Sequence, residues 1–184
     1  MTTLPPTMLS GLYSLTYLSL YENKIQSIPD GLFASTPNLQ QIDMSSNQIT
    51  TLQHGAFSGL ENLYYLYLNN NQINTIASGA LAGLTNLYHL YLSYNQLYSV
   101  ETGAFTNIFQ ERGYLYLDYN DLKTLPASLP NEVGNIYINA YNNCLDSTFL
   151  AAGTQSLLGN YDRNRQNYQY LCTAISYDPI KPIS

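Results

Sequence analysis

Few residues in this chain are equipped for chemistry. Its only histidines are His54 and His89, its only cysteines Cys144 and Cys172, and its acids include Asp43 and Asp118. A histidine beside a carboxylate makes a general base, two facing carboxylates make a glycosidase pair, and two Cys with two His make a zinc site. None of these groups falls at a motif spacing: P-loop, G-x-G-x-x-G, G-x-S-x-G and H-E-x-x-H patterns are all absent from the sequence. What the chain has in excess is tyrosine, nineteen of them with no tryptophan. The run YYLYLNNNQI, Tyr64 to Ile73, places them around a thin leucine frame. A tyrosine offers large contact area, two side-chain torsions to freeze and a hydroxyl, which suits recognition.

Composition narrows the partners. At 184 residues the chain is long enough for one domain with a sizeable core. Only 10% of residues are charged, far below the usual quarter, so the surface must be built from neutral polar groups. The net charge of −6 includes just six Lys plus Arg. Binding nucleic acid requires clustered cations against the phosphates, and anionic membranes select for the same clusters, so neither partner is expected. No apolar run approaches the roughly 20 residues of a membrane span. The start, MTTLPPTML, lacks the pattern of a signal peptide, which leaves a cytosolic protein, a mature secreted chain or an excised fragment.

The elements that carry the tyrosines emerge when the chain is aligned on asparagine. LTYLSLYENKI, LQQIDMSSNQI, LYYLYLNNNQI and LYHLYLSYNQL begin at Leu15, Leu39, Leu63 and Leu87, followed by RGYLYLDYNDL from Arg112 and a weaker VGNIYINAYNN from Val133. The starts are 24, 24, 24, 25 and 21 residues apart. A period of this length marks a solenoid. In each strand alternate side chains face opposite ways, so Leu66 and Leu68 point inward while Tyr65, Tyr67 and Asn69 point out. The repeated asparagines at 23, 47, 71, 95 and 120 turn the chain out of the strand and hydrogen-bond buried backbone, because an amide both donates and accepts. Return-leg residues such as Ile28 and Phe33, or Leu52 and Phe57, fill the other side of the coil.

From Leu4 to Asn143 the chain resembles the leucine-rich repeat family, whose LxxLxLxxNxL signature it repeats. The resemblance implies an α/β-type solenoid: a curved horseshoe with a parallel concave β-sheet and irregular or 3-10 convex legs. It also puts the outward strand residues in columns across the concave face. The first would read Tyr17, Gln41, Tyr65, His89, Tyr114, Asn135; the central one Ser19, Asp43, Tyr67, Tyr91, Tyr116, Tyr137; the third Tyr21, Ser45, Asn69, Ser93, Asp118, Asn139. Tyr94 and Tyr119 flank the third column, and Tyr64 and Tyr88 the first. The 24-residue repeats and concave tyrosines are similar to those of the variable lymphocyte receptors of jawless fishes.

The expected ligand site is therefore Tyr65, Tyr67, His89, Tyr91, Tyr94, Tyr114, Tyr116, Asp118, Tyr119 and Tyr137, with Asp43 and Asn69 beside them. Tyrosine also favours strands, so a ladder that only stabilises the sheet is the plainer alternative. Six short strands cover on the order of 400 Å². A standard protein interface uses roughly 800 Å² per partner, so the sheet alone suits a peptide, a glycan or a protruding epitope. His89 neighbours tyrosines and no acid. Asp43 and Asp118 are three repeats apart, about 15 Å, too far for a glycosidase pair. The expectation is a non-enzymatic receptor or adhesion module for a protein or peptide, with a carbohydrate binder or an unliganded structural segment as alternatives, and no metal or cofactor.

The ends carry further expectations. Free thiols at Cys144 and Cys172 are one reading. The position after the last repeat resembles the cysteine-closed C-terminal cap of extracellular leucine-rich repeat proteins, which implies a Cys144–Cys172 bridge and a location outside the cell or at its surface, with the cytoplasm as the alternative. Such caps usually have four cysteines and an early tryptophan, which NNCLDSTFL lacks. The implied division is repeats over 1–143, a cap over 144–172 and an extended tail over 173–184. Leu4, Leu9 and Leu12 match Leu52, Phe57 and Leu60 in spacing, so the chain opens inside a repeat. Its first strand has an open edge, read either as part of a longer solenoid or as a surface for self-association. Arg112 stands where earlier repeats have leucine. Burying an unpaired guanidinium is too costly, so a bulge over 110–113 is expected, with Phe109 taking the vacant slot.

Overall fold

The computed structural model describes residues 1–133 and 136–145. Strands β1 (Tyr17–Ser19), β2 (Gln41–Asp43), β3 (Tyr65–Tyr67), β4 (Thr75–Ile76), β5 (Leu87–Tyr91), β6 (Ser99–Val100) and β7 (Phe109–Tyr116) are followed by α1 (Leu129–Val133) and β8 (Tyr137–Asn139). Six strands form one parallel sheet in the order β1-β2-β3-β5-β7-β8, while β4 and β6 pair separately on the return legs. The register follows the repeat: Tyr17, Gln41, Tyr65, His89 and Tyr114 are successive partners, as are Ser19, Asp43, Tyr67, Tyr91 and Tyr116. This is the expected leucine-rich repeat solenoid.

The strands are short because the chain must leave the sheet after a few residues to build its return leg. A fixed conformation makes that exit: Glu22, Ser46, Asn70, Tyr94, Tyr119 and Asn142 all have φ between 51° and 56°. The next residue is the repeated asparagine. Asn95 accepts the Ile73 backbone N–H at 3.0 Å and donates to the Leu68 and Leu92 carbonyls, each at 3.0 Å. Asn47, Asn71 and Asn120 make the same set of bonds, and each is buried. One amide therefore satisfies backbone groups of two coils. A second row, not foreseen from the sequence, precedes the strands: Asn38, Asn62 and Asn86 donate to the Tyr13, Pro37 and Glu61 carbonyls one coil back.

Inside, Leu63, Leu66, Leu68 and Ile73 are fully buried with their counterparts in neighbouring coils. Phe33 and Phe57 stack at 6.2 Å behind them. The convex legs run through i to i+3 turns, for example Ala56 N–H to Gln53 O and Ser58 N–H to Gly55 O. Gly83 is needed there: φ is +101°, and a Cβ would lie 2.8 Å from the Phe57 carbonyl oxygen. Glu132 of α1 ties its coil to the preceding one by accepting the Gly103 N–H at 2.7 Å.

Two expectations about irregular repeats have different outcomes. The bulge is present: Leu87 pairs with Phe109, yet His89 pairs with Tyr114, so β7 carries extra residues between these pairs. Phe109 packs against the core opposite Leu87, and a Cβ on Gly113 would lie 2.8 Å from its ring. The final repeat, by contrast, is set two residues later than expected. Tyr114 pairs with Tyr137 and Tyr116 with Asn139. Tyr137 therefore belongs to the first column, Asn139 to the central one and Tyr141 to the third; Asn135 lies outside the described residues. The reason is the asparagine: Asn143 accepts the Leu122 N–H at 3.0 Å and donates to the Leu117 carbonyl, and satisfying those buried groups outweighs the apolar match of Val133.

At the other end Leu4 and Leu9 are buried as expected, but Leu12 is 45% exposed where its counterpart Leu60 is fully covered. No described coil precedes β1, so nothing covers Leu12. The Met1 ammonium donates to Asn23 Oδ1 at 2.9 Å, in the place that the Ile25 N–H takes on Asn47.

Removing one rung of the buried row should cost far more than its size suggests. Asn95→Ala strands an N–H and weakens two carbonyls in the interior, so unfolding stability should fall by about 3 kcal/mol or more. Asn69→Ala, on the open face, should change it by less than about 0.5 kcal/mol. Urea midpoints of the two variants test this.

Candidate functional site

The concave aromatics of β3, β5 and β7 form one continuous body. Tyr67, Tyr91 and Tyr116 stack at centroid distances of 4.5 and 4.6 Å with planes 4° apart. Tyr65, His89 and Tyr114 make a second stack at 5.1 and 4.6 Å. Along each strand the two stacks also touch, at 6.4 Å for Tyr65 and Tyr67, 5.5 Å for His89 and Tyr91, and 6.4 Å for Tyr114 and Tyr116. Tyr64 and Tyr88 extend the slab on the side where strands begin, at 4.9 Å. Tyr94 and Tyr119 form a separate stacked pair on the side where strands end, at 4.2 Å.

The orientation follows from the sheet. Adjacent strands are about 4.8 Å apart, and the rings repeat at nearly that interval with parallel planes. Each ring within a stack therefore covers its neighbours' faces and turns its rim toward solvent. The exposed surface is a field of phenol edges. No Lys or Arg stands in the concave columns, whereas Asp43 and Asp118 do.

Tyr137 does not join the central stack. It meets Tyr114 at 5.8 Å and Tyr116 at 6.4 Å with planes tilted by 44° and 53°. The shifted last repeat explains this, since it places Tyr137 beside Tyr114 in the first column. The same shift brings in Tyr141, which meets Tyr119 edge-on at 6.0 Å and which the sequence reading left out. The 23-residue step from Asn120 to Asn143 is the sequence feature that marks it.

The polar neighbours are tied to structure. Asp43 Oδ1 accepts the Ser45 N–H at 2.9 Å and its hydroxyl. Asp118 Oδ1 accepts from Ser93 Oγ at 2.7 Å and from Asn139 Nδ2 at 3.1 Å. Asn69 shares the third column with them. His89 lies within a ring of Tyr65, Tyr88, Tyr91, Tyr114 and Tyr116. Its Nδ1 is 3.2 Å from the Tyr91 hydroxyl, a contact that a neutral imidazole makes in either tautomer. Burial holds its pKa below the ordinary histidine value, so the ring is neutral at pH 7. His54, the other histidine, belongs to a convex leg against Gly79. The described residues contain no group of three His, Cys, Asp or Glu able to hold a metal, and no helix among them is long and apolar enough to cross a membrane. Cys172, and with it the Cys144–Cys172 bridge, lies outside the described residues.

Close packing raises the pKa values of the three phenols in the central stack. Tyr91, at the centre, is pushed up to about 12 by burial first and by Tyr116 and Tyr67 next. Tyr67 and Tyr116 are raised from 10.0 chiefly by burial as well. Between pH 10 and about 12 the folded chain keeps the Tyr91 proton that the unfolded chain gives up, so stability is lost as pH rises through this window. Tyr91→Phe should make that loss shallower, as read from urea midpoints at pH values across it.

The comparisons extend the geometry to known proteins. A leucine rich repeat family model matches residues 1–49 and 37–97, together just over half of the chain. A comparison with curated protein sequences finds no match. Among solved structures, a chain of the Drosophila Toll–Spatzle complex superposes with a TM-score of 0.59 at 25% identity, over 78% of this chain and 24% of that one. A chain of the TLR13–ssRNA13 complex gives 0.62 at 24% identity, also over 78% of this chain and 24% of that one. The chain thus spans about a quarter of the length of these solved chains. With the repeat signature, the parallel sheet and the buried asparagines all in register, this chain belongs to the leucine-rich repeat family.

Proposed function

We propose that this chain is a non-catalytic recognition module of receptor or adhesion type, which holds a protein or peptide on the tyrosine slab of its concave face. The observation that carries this reading is the slab itself, built at positions the repeat leaves free. Beside it, Tyr94 and Tyr119 stack on each other with φ of 55° at both. That conformation is rarely adopted by a bulky residue, and a ladder serving only to stabilise the sheet gives no reason to put aromatics there. The rigid uncharged phenols resemble the anchors of antibody paratopes. A solved relative in complex with the protein Spatzle is consistent with a protein partner.

Other partners fit less well. Sugar rings dock on open aromatic faces, and most faces here are covered by the next ring. The TLR13 chain is solved with single-stranded RNA, but this chain carries a net charge of −6 and no Lys or Arg in its concave columns. We place the module outside the cell or at its surface, with repeats over 1–143, a disulfide cap over 144–172 and a tail over 173–184.

A display screen of a random peptide library against the full chain, run beside a glycan array, separates the readings. For a selected peptide, Tyr67→Ala, Tyr91→Ala or Tyr116→Ala should each weaken binding by about 1–2 kcal/mol or more, as central aromatic anchors do. Tyr13→Ala, away from the slab, should leave it unchanged, and Tyr137→Ala should have a smaller effect. Stability lost without any loss of binding would mark the ladder as scaffold, and glycan hits alone would overturn the protein reading.

Peptide mapping without reductant should recover Cys144 and Cys172 joined. The bridge closes a loop of about 29 residues, so reducing it should cost roughly 3–4 kcal/mol. Two freely alkylated cysteines would refute the cap and the extracellular placement together.

A further inference from the structure

The first column carries an aromatic ring on every strand but one. Tyr17, Tyr65, His89, Tyr114 and Tyr137 stand on β1, β3, β5, β7 and β8, and Gln41 takes the place on β2. At that place the surface drops into an open depression of about 510 Å³, lined by Thr16, Tyr17, Gln40, Gln41, Tyr64 and Tyr65. The first-column stack ends at Tyr65, which meets His89 at 5.1 Å and has Tyr64 edge-on at 4.9 Å, and no ring on β2 stands between it and Tyr17. Two strand spacings separate Tyr17 from Tyr65, about 9.6 Å. One flat group between two rings needs about 7 Å, two contacts of about 3.5 Å. The depression is a missing rung, one flat group wide.

The surroundings select the group. Three tyrosines line the gap, as in cages that bind cations by their ring faces. Asp43 lies two residues along β2 on the same face, with Oδ1 held by Ser45 and Oδ2 given no partner among the described residues. Gln40 and Gln41 bring amide acceptors to the lining. No cation of the concave columns competes. A planar, weakly hydrated cation with several donors matches all of these features, and guanidinium is the side-chain group of that description.

We propose that this depression is an arginine subsite, in which a guanidinium from the protein or peptide partner lies between Tyr17 and Tyr65, completes the stack and sets its charge beside Asp43. The proposal rests on the recognition reading above and adds to it the chemistry that the partner must present.

The test uses the full chain and small probes, N-acetyl-arginine amide, its citrulline and lysine counterparts, and glucose, followed by NMR. Arginine amide should shift the Gln41 amide and the Tyr65 ring resonances with a millimolar midpoint, and citrulline and lysine should bind at least about threefold more weakly. Asp43→Asn keeps the Oδ1 acceptor for Ser45 while removing the charge, so it should weaken arginine by about two- to fivefold without unfolding the coil. Gln41→Tyr should fill the rung and abolish the response while the chain stays folded. Equal binding of citrulline and arginine, a preference for glucose, or no arginine response at these residues would each overturn the assignment. If the probes fail while ladder variants still lose a selected peptide, only the subsite falls. If the ladder variants do nothing while arginine still binds, the recognition face is misplaced and the subsite stands.

Discussion

The whole structure depends on one shared hydrogen-bonding group, the buried asparagine that closes each coil. A strand that leaves its sheet after a few residues exposes carbonyls and N–H groups to an apolar interior, where unpaired polar groups are costly. Each amide satisfies such groups in its own coil and in the one before it, as Asn95 does with Leu92, Leu68 and Ile73. The leucines supply the burial, but burial alone tolerates small slips between coils. The amide does not, because its donors and acceptor must meet fixed partners about 3 Å away. The last repeat demonstrates the ranking. There the asparagine and the apolar pattern disagree by two residues, and the chain follows Asn143.

A fixed register has a consequence for the surface. When every coil repeats in step, side chains at equal positions on neighbouring strands lie about 4.8 Å apart, which is the separation at which flat rings stack with a slight offset. Tyrosines at such positions are therefore held in order by the backbone, and little side-chain freedom remains to be lost when a partner arrives. The same order turns their faces to one another. It withdraws the phenols from water enough to raise the pKa of Tyr91 to about 12.

Interruptions of the pattern are where the face acquires features. Gln41 breaks the first column and leaves a gap between Tyr17 and Tyr65, and the shortened final step turns Tyr137 out of the central stack and sets Tyr141 against Tyr119. The extra residues of β7 are absorbed before Tyr114, which keeps Tyr114 and Tyr116 in their columns despite the insertion.

The sequence by itself determined the coil, its period, the inward leucines and the membership of the first five rungs, because those depend on local alternation and on an asparagine whose bonding needs are the same in every repeat. It also pointed to the irregularity ahead of Tyr114 and to Phe109 packing against the core there. Only the tertiary structure decided which way the rings face, since stacking depends on the distance between strands far apart in sequence. The same holds for the placement of Tyr137, where an apolar match at Val133 competed with a buried amide at Asn143, and for the Asn38, Asn62 and Asn86 row, whose carbonyl partners lie a full coil away. The gap at Gln41 could be read as a break in a column, but its width is set by the rigid spacing of the strands on either side. Contacts that close across one coil are written in the repeat, and those that close across several wait for the coils to stack.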